Sequence, residues 1–202
     1  MESLVTRQRI LLLIACFAGL LVAGGLAWRA GVFKGEGAQA GLVGGPFQLV
    51  DQTGKAVDES VLKGKWSVVF FGFTYCPDVC PGTLQALTGA MDQLGPKAED
   101  VRIVFISVDP ERDTPAKVRA WLEAQRPPAG TLGLTGTVEQ SNAAAKAYRV
   151  FHEKAGDGPD YLVNHSTAMY LMDPRGRFVK VLAYGMTPEQ LADQIRAAMR
   201  GD

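Results

Sequence analysis

Hydrophobic and polar positions divide the chain into three regimes. Ile10 to Trp28 (ILLLIACFAGLLVAGGLAW) is an uninterrupted apolar run without a charge, bracketed by Arg7, Arg9 and Arg29. At about 1.5 Å per residue it nearly spans a hydrocarbon core of about 30 Å. Residues 31–45 (GVFKGEGAQAGLVGG) then show no apolar period and six glycines, the composition of a flexible tether. From Pro46 onward the pattern alternates between short β-rich runs and helical spacing.

Within that last part, Phe47 to Val50 reads as a strand that turns at Asp51–Lys55 and returns. Trp66 to Phe73 (WSVVFFGF) and Arg102 to Val108 (RIVFISV) are continuous apolar runs, as expected of strands buried on both faces. Between them Leu84, Leu87, Met91 and Leu94 recur at helical spacing over Thr83 to Leu94, and Gly95-Pro96 ends the helix. Two buried strands around one helix predict a parallel βαβ unit. Thr114-Pro115 announces a second helix to about Gln125, and Thr137 with Gln140 a third through Ala147. Ala168–Met172 and Phe178–Leu182 form a hairpin across Asp173-Pro174-Arg175-Gly176, and Thr187-Pro188-Glu189-Gln190 opens a last helix. Phe151 to Asn164 fits no regular element and is expected to be an inserted excursion. The order βαβ, helices, β-hairpin, helix predicts an α/β, thioredoxin-like domain.

Charge sharpens the division. The 202 residues carry 21 basic and 21 acidic side chains, yet residues 1–34 hold a net +3 and the remainder −3. The expected organisation is a short tail (1–9), a transmembrane helix as anchor (10–28), a tether (29–45) and a folded domain (46–202). A cleaved signal peptide is the rival reading, because Ala38-Gln39-Ala40 has the small-x-small form of a cleavage site. Its apolar region would exceed the usual ~7–15 residues, which favours the uncleaved anchor. The simplest topology puts the tail inside and the domain outside. Cys16, within the apolar run, reads as a small apolar residue of a membrane helix. A neutral total argues against a nucleic-acid binder. Three cysteines are too few for a disulfide scaffold or a four-cysteine zinc module.

The candidate chemistry lies where the Trp66–Phe73 strand meets the following helix, at Cys76-Pro77-Asp78-Val79-Cys80-Pro81. In open α/β sheets functional groups gather at such corners. Cysteines four apart would share one face of a helical first turn, and a helix N-terminus favours the thiolate. The spacing permits a disulfide and also lets two thiolates surround one metal ion. Soft thiolates select Cu(I), zinc or iron–sulfur chemistry, and two thiolates plus one imidazole suit copper in either oxidation state. Of the two histidines, His165 precedes a strand on the side of the corner, whereas His152 sits in the excursion and reads as a surface residue. Asp109, Glu111, Arg112 and Asp113 read as a solvated charged loop, and Thr114 as a helix cap. Met169 and Met172 have opposite strand parity and are assigned, with Met186, to core packing rather than to a metal.

FGFTYCPDVCPGTL, SVDPERDTP at 107–115 and YLVNHSTAMYLMDPRG at 161–176 resemble the Sco/SenC family over essentially the whole chain. The resemblance implies a membrane-tethered copper chaperone, on the periplasmic side of the inner membrane, that helps deliver copper to the CuA site of cytochrome c oxidase. Its partners would be the oxidase subunit carrying CuA and another copper chaperone. By that resemblance Cys76, Cys80 and His165 would be the copper ligands, for Cu(I) or Cu(II), and Asp78 would shape the site. Tyr75 and Asn164 stand where the family often has histidine and aspartate. A thiol–disulfide reductase built on Cys76 and Cys80 is the alternative. A peroxidase is the weakest reading, because neither cysteine is preceded by the Pro-x-x-x-Thr-x-x pattern such enzymes use.

Overall fold

The structure, a computed structural model, describes residues 43–201. The expected tail, anchor and most of the tether lie outside the described residues. Among those described, no helix is long and apolar enough to cross a membrane. In chain order the elements are β1 (Gln48–Asp51), β2 (Ala56–Asp58), β3 (Trp66–Gly72), α1 (Val79–Leu94), β4 (Val101–Ser107), α2 (Pro115–Gln125), β5 (Leu132–Thr135), α3 (Val138–Ala147), β6 (His152–Ala155), β7 (Leu162–His165), β8 (Met169–Met172), β9 (Phe178–Leu182) and α4 (Pro188–Arg200).

Seven strands form one sheet in the order β2-β1-β5-β4-β3-β8-β9. β3 pairs in parallel with β4, and β4 with β5; β1 and β8 join antiparallel on either side. The expected β3–α1–β4 unit is therefore present, extended by the β8–β9 hairpin and closed by α4, which is the thioredoxin-like arrangement. Alternation along β3 explains why the run is apolar throughout. Val68 and Phe70 face a layer with Leu84, Leu87 and Met91 of α1 and Leu191 and Ile195 of α4. Val69 and Phe71 face the opposite layer with Ala144 and Ala145 of α3 and Tyr148. Met169 and Met172 fall into these two separate layers, as their parity requires.

Helix ends follow the capping chemistry. Thr137 and Thr187 each accept from the backbone N–H three residues on, and Gln140 and Gln190 return the bond to the cap. Thr114 accepts from the Lys117 N–H at 3.4 Å. Ordered packing begins slightly before Pro46, since the Gly44 N–H donates to the Ala147 carbonyl at 3.0 Å.

Three local expectations are corrected. α1 begins at Val79, four residues earlier than the apolar spacing indicated, because its first turn buries Cys80 in place of the leucines that mark the later turns. β5 is a strand the pattern did not reveal. It is short, and Gly133 interrupts its apolar run because α2 packs directly on it: a Cβ there would lie 2.4 Å from Val118 and 2.8 Å from Leu122. The supposed excursion is a β-hairpin, β6 pairing antiparallel with β7 in a separate two-stranded sheet. β6 carries no apolar alternation, since Glu153 and Lys154 are both exposed.

The contact at Gly133 yields a stability test. Gly133→Ala should overpack the α2–β5 interface and destabilise the domain by about 2 kcal/mol, read as a lower urea midpoint with an unchanged slope.

Candidate metal centre

β3 ends at Gly72, and the chain turns through Phe73–Tyr75 to reach Cys76, whose N–H donates to the Phe73 carbonyl at 3.2 Å. Cys76 thus sits in the loop before α1, and only Cys80 lies in the helix, which corrects the expectation that one helical turn carries both sulfurs. The two still face each other: the Cys80 backbone N–H donates to Cys76 Sγ at 3.4 Å. Both are free thiols, Cys76 half-buried and Cys80 1 % exposed.

Gly72 makes room for the inner sulfur. A Cβ at Gly72 would lie 2.6 Å from Cys80 Sγ and 3.1 Å from the Phe105 ring. A glycine inside a buried strand signals such a close approach, and it is the one sequence sign of this contact.

His165, the last residue of β7, completes the cluster. Its Nε2 is 3.6 Å from Cys80 Sγ, and its Nδ1 is 2.9 Å from the Ser166 carbonyl. A carbonyl can only accept, so Nδ1 carries the proton and the Nε2 lone pair points to the sulfurs, the tautomer a metal ligand needs. Phe73 holds the ring edge-on with centroids 5.9 Å apart. Ligand atoms of Cys76, Cys80 and His165 all lie within 4.8 Å of one another. One ion with bonds of about 2.0–2.3 Å would draw them together with small movements. Two thiolates and one imidazole, with no carboxylate among them, form a soft donor set suited to copper.

The sulfurs are electrostatically unequal. The hydrogen bond from Cys80 pulls the Cys76 thiol down to about 5, and the backbone N–H groups of Cys80 and Asp78 act in the same direction against burial. Cys80 is pushed far up, first by its bond to Cys76 and then by burial. The apo dithiol therefore carries one thiolate, on the accessible sulfur. Asp78 contributes through its N–H: its exposed carboxylate makes no capping bond to α1.

Other residues depart from their expected roles. His152 is half-buried and pairs directly opposite His165 in the β6–β7 register. The charge cluster is a solvated loop only at Glu111, because Asp113 is 0 % exposed and Asp109 is buried. The Asp113 carboxylate accepts from the Thr74 N–H at 3.0 Å, the Thr74 hydroxyl at 2.5 Å and the Ser107 hydroxyl at 2.6 Å. Asp109 binds Arg112 and Tyr161. Composition alone cannot separate such buried charges from solvated ones, and no sequence signal pointed to them. Tyr75 is exposed, and its hydroxyl donates to Asp160 at 3.0 Å.

A thioredoxin-like domain with a thiolate–imidazole cluster at its β3–α1 corner is the class that fold and site define. A family model described as SCO1/SenC matches residues 35–200. Protein SCO1 homolog 1, mitochondrial, of Arabidopsis thaliana is 42% identical over 171 residues, 84% of this chain and 51% of that one. Protein SenC of Rhodobacter capsulatus is 43% identical over 164 residues, covering 80% and 73%. The crystal structure of Arabidopsis thaliana ScoI with copper bound matches with a TM-score of 0.74 at 41% identity, covering 79% of this chain and 99% of that one. The chain belongs to the SCO1/SenC family. It spans about half the length of the Arabidopsis SCO1 homologue.

Three outcomes follow from this site. The thiolate ultraviolet absorbance of the reduced protein should titrate near pH 5 and vanish in Cys76→Ser. Because the Cys76 value is lowered in the native state, its stabilisation is complete above the ordinary thiol value of about 8.5 and is lost as pH falls through about 5. Cys80 has the opposite sign, its raised value costing stability above about 8.5. Stability of the reduced protein, followed by denaturant unfolding at each pH, should therefore contain a dithiol contribution that peaks near that value. Separately, Gly72→Ala should displace Cys80 and weaken copper binding by at least about tenfold in a competition titration.

Proposed function

We propose that this protein is a copper chaperone that carries the ion between Cys76, Cys80 and His165 and passes it to the CuA-bearing subunit of cytochrome c oxidase. The observation that carries this reading is the triangle of two sulfurs and one imidazole nitrogen within 4.8 Å. Family membership and a copper-bound relative of the same fold support it. Copper is cargo in this scheme. Loading displaces the remaining thiol proton of Cys80, so uptake requires the reduced dithiol and releases a proton. Delivery proceeds by ligand exchange with the partner's donors, and another copper chaperone supplies the ion. Asp78 shapes the approach to Cys76 from the loop that precedes α1. The apolar run at 10–28 anchors the chain in the inner membrane, with the domain on the periplasmic side. The −3 charge beyond residue 34 and the glycine-rich tether support that division.

The thiol–disulfide reductase reading has its own support in the unequal sulfurs. Cys76 as thiolate would attack a partner disulfide, forming a mixed disulfide and releasing one partner thiolate. Cys80, after losing its proton, would then displace the second partner sulfur and close a Cys76–Cys80 disulfide. Two electrons pass to the partner and leave its cysteines ready for metal.

Anaerobic titration of the reduced full chain with Cu(I), against a competing chelator, separates the two. Cys76→Ala and Cys80→Ala should each lose more than about 100-fold in affinity, beyond what outer-shell changes cost. His165→Ala should retain Cu(I) on its thiolates and lose most Cu(II) binding. Wild type without a tight single site, or His165→Ala binding both oxidation states like wild type, would remove the chaperone assignment. Efficient copper-independent disulfide turnover would favour the reductase. Membrane retention after alkaline carbonate extraction, lost on deleting residues 1–28, tests the anchor.

A further inference from the structure

The metal cluster is assembled from two parts of the molecule that share no strand pairing. Cys76 and Cys80 belong to the corner of the seven-stranded sheet, whereas His165 belongs to the β6–β7 hairpin. Something other than a hydrogen-bonded ladder must set the imidazole against the sulfurs. Alternation shows which face of the hairpin does so: Tyr161 and Val163 are buried while Leu162 and Asn164 are exposed, so Tyr161, Val163 and His165 point the same way.

Tyr161 is held by a closed triangle. Its hydroxyl donates to Asp109 Oδ1 at 2.5 Å, Arg112 Nε donates to Asp109 Oδ2 at 2.6 Å, and the Arg112 guanidinium lies 3.6 Å from the Tyr161 ring centroid. Arg112 also donates through Nη1 to the Pro159 carbonyl in the hairpin turn at 3.1 Å. On its other contacts the guanidinium lies 4.9 Å from the ring of Tyr75 and 5.9 Å from that of Phe73, the residues leading to Cys76. Phe73 in turn packs edge-on against His165. One side chain thus touches the cysteine loop, the hairpin and the loop after β4. It is a partly desolvated charge whose acidic partner is 3 % exposed, the setting in which charge-assisted and cation–π contacts are strong.

We propose that Asp109, Arg112 and Tyr161 form a latch that seats His165 on the dithiol and thereby sets the preference between the two oxidation states of copper. The inference rests on the copper-carrying role proposed above. Its chemical basis is the difference between the donors. Two thiolates suffice for Cu(I), whereas Cu(II) depends on the added imidazole nitrogen. Holding the hairpin down therefore favours Cu(II) retention, and releasing it leaves a dithiol site for Cu(I). These three are positioning residues, since none of them binds the metal.

Arg112→Ala and Tyr161→Phe in the full chain test the latch, with Asp173→Asn as control, because it breaks an ion pair in the distant β8–β9 turn. Arg112→Ala should weaken Cu(II) binding by at least about tenfold, shift the thiolate-to-Cu(II) absorption and change Cu(I) affinity less than about threefold. Tyr161→Phe keeps the ring and loses one bond, and should weaken Cu(II) by about threefold; it gives the same reading should Arg112→Ala not fold. Without any metal, amides of residues 152–165 should exchange at least about tenfold faster in Arg112→Ala, with β3 and β4 unchanged. Equal losses for both oxidation states, or Cu(II) affinity, spectrum and hairpin exchange like those of wild type and Asp173→Asn, would overturn the latch. Wild type that fails to bind copper would instead remove the copper-carrying role, and the metal-free exchange result would still decide whether the latch holds the hairpin.

Discussion

The site depends on one buried carboxylate. Asp113 has no solvent contact and receives three hydrogen bonds, two from Thr74 and one from Ser107. Thr74 belongs to the turn that leads to Cys76, and Ser107 is the last residue of β4, so the bonds tie the cysteine loop to the neighbouring parallel strand. Burial raises the Asp113 carboxyl above its ordinary value, and the donors from Ser107 and Thr74 oppose that rise. Such a group is costly unless fully satisfied, and here its satisfaction requires that the loop be where it is. Both oxygens are engaged, and the Asp113 backbone carbonyl accepts from Thr135 of β5 at 2.6 Å. The ends of three adjacent parallel strands therefore share one polar anchor.

The elements most readable from sequence are those whose physics is local. Thr-x-x-Gln spells out two helix starts, and both capping boxes form. β3 and β4 are apolar on both faces, and burial on both faces is what they undergo. Legibility fails where a residue serves a distant neighbour. Gly133 and Gly72 are small because α2 and Cys80 approach them, which a linear pattern registers only as an interruption. Asp109, Arg112 and Asp113 look like a hydrophilic loop because their partners, Tyr161 and Thr74, lie far along the chain. The cysteine pair was legible from its spacing and position. The setting of His165 was not, because the hairpin that carries it has no apolar alternation on β6.

The two sulfurs illustrate how a fold divides labour between identical groups. The hydrogen bond between them separates the sulfurs first and burial second: Cys76 precedes the helix and is half-buried, while Cys80 enters the apolar layer with Phe71 and Phe73. A single proton then stays on the inner sulfur, and the outer one is a ready nucleophile or ligand. The same asymmetry would serve both of the chemistries proposed for this corner, metal uptake and disulfide exchange.

In the proposed carrier role, the depth of Cys80 also gives release an order. An approaching donor from another protein meets the half-buried Cys76 and His165, whereas Cys80 is 1 % exposed. Bonds to a carried ion would therefore be surrendered from the outside inward, with Cys80 the last to let go. In that role transfer would be directional, the ion staying bound to the donor protein until the recipient already holds its other side.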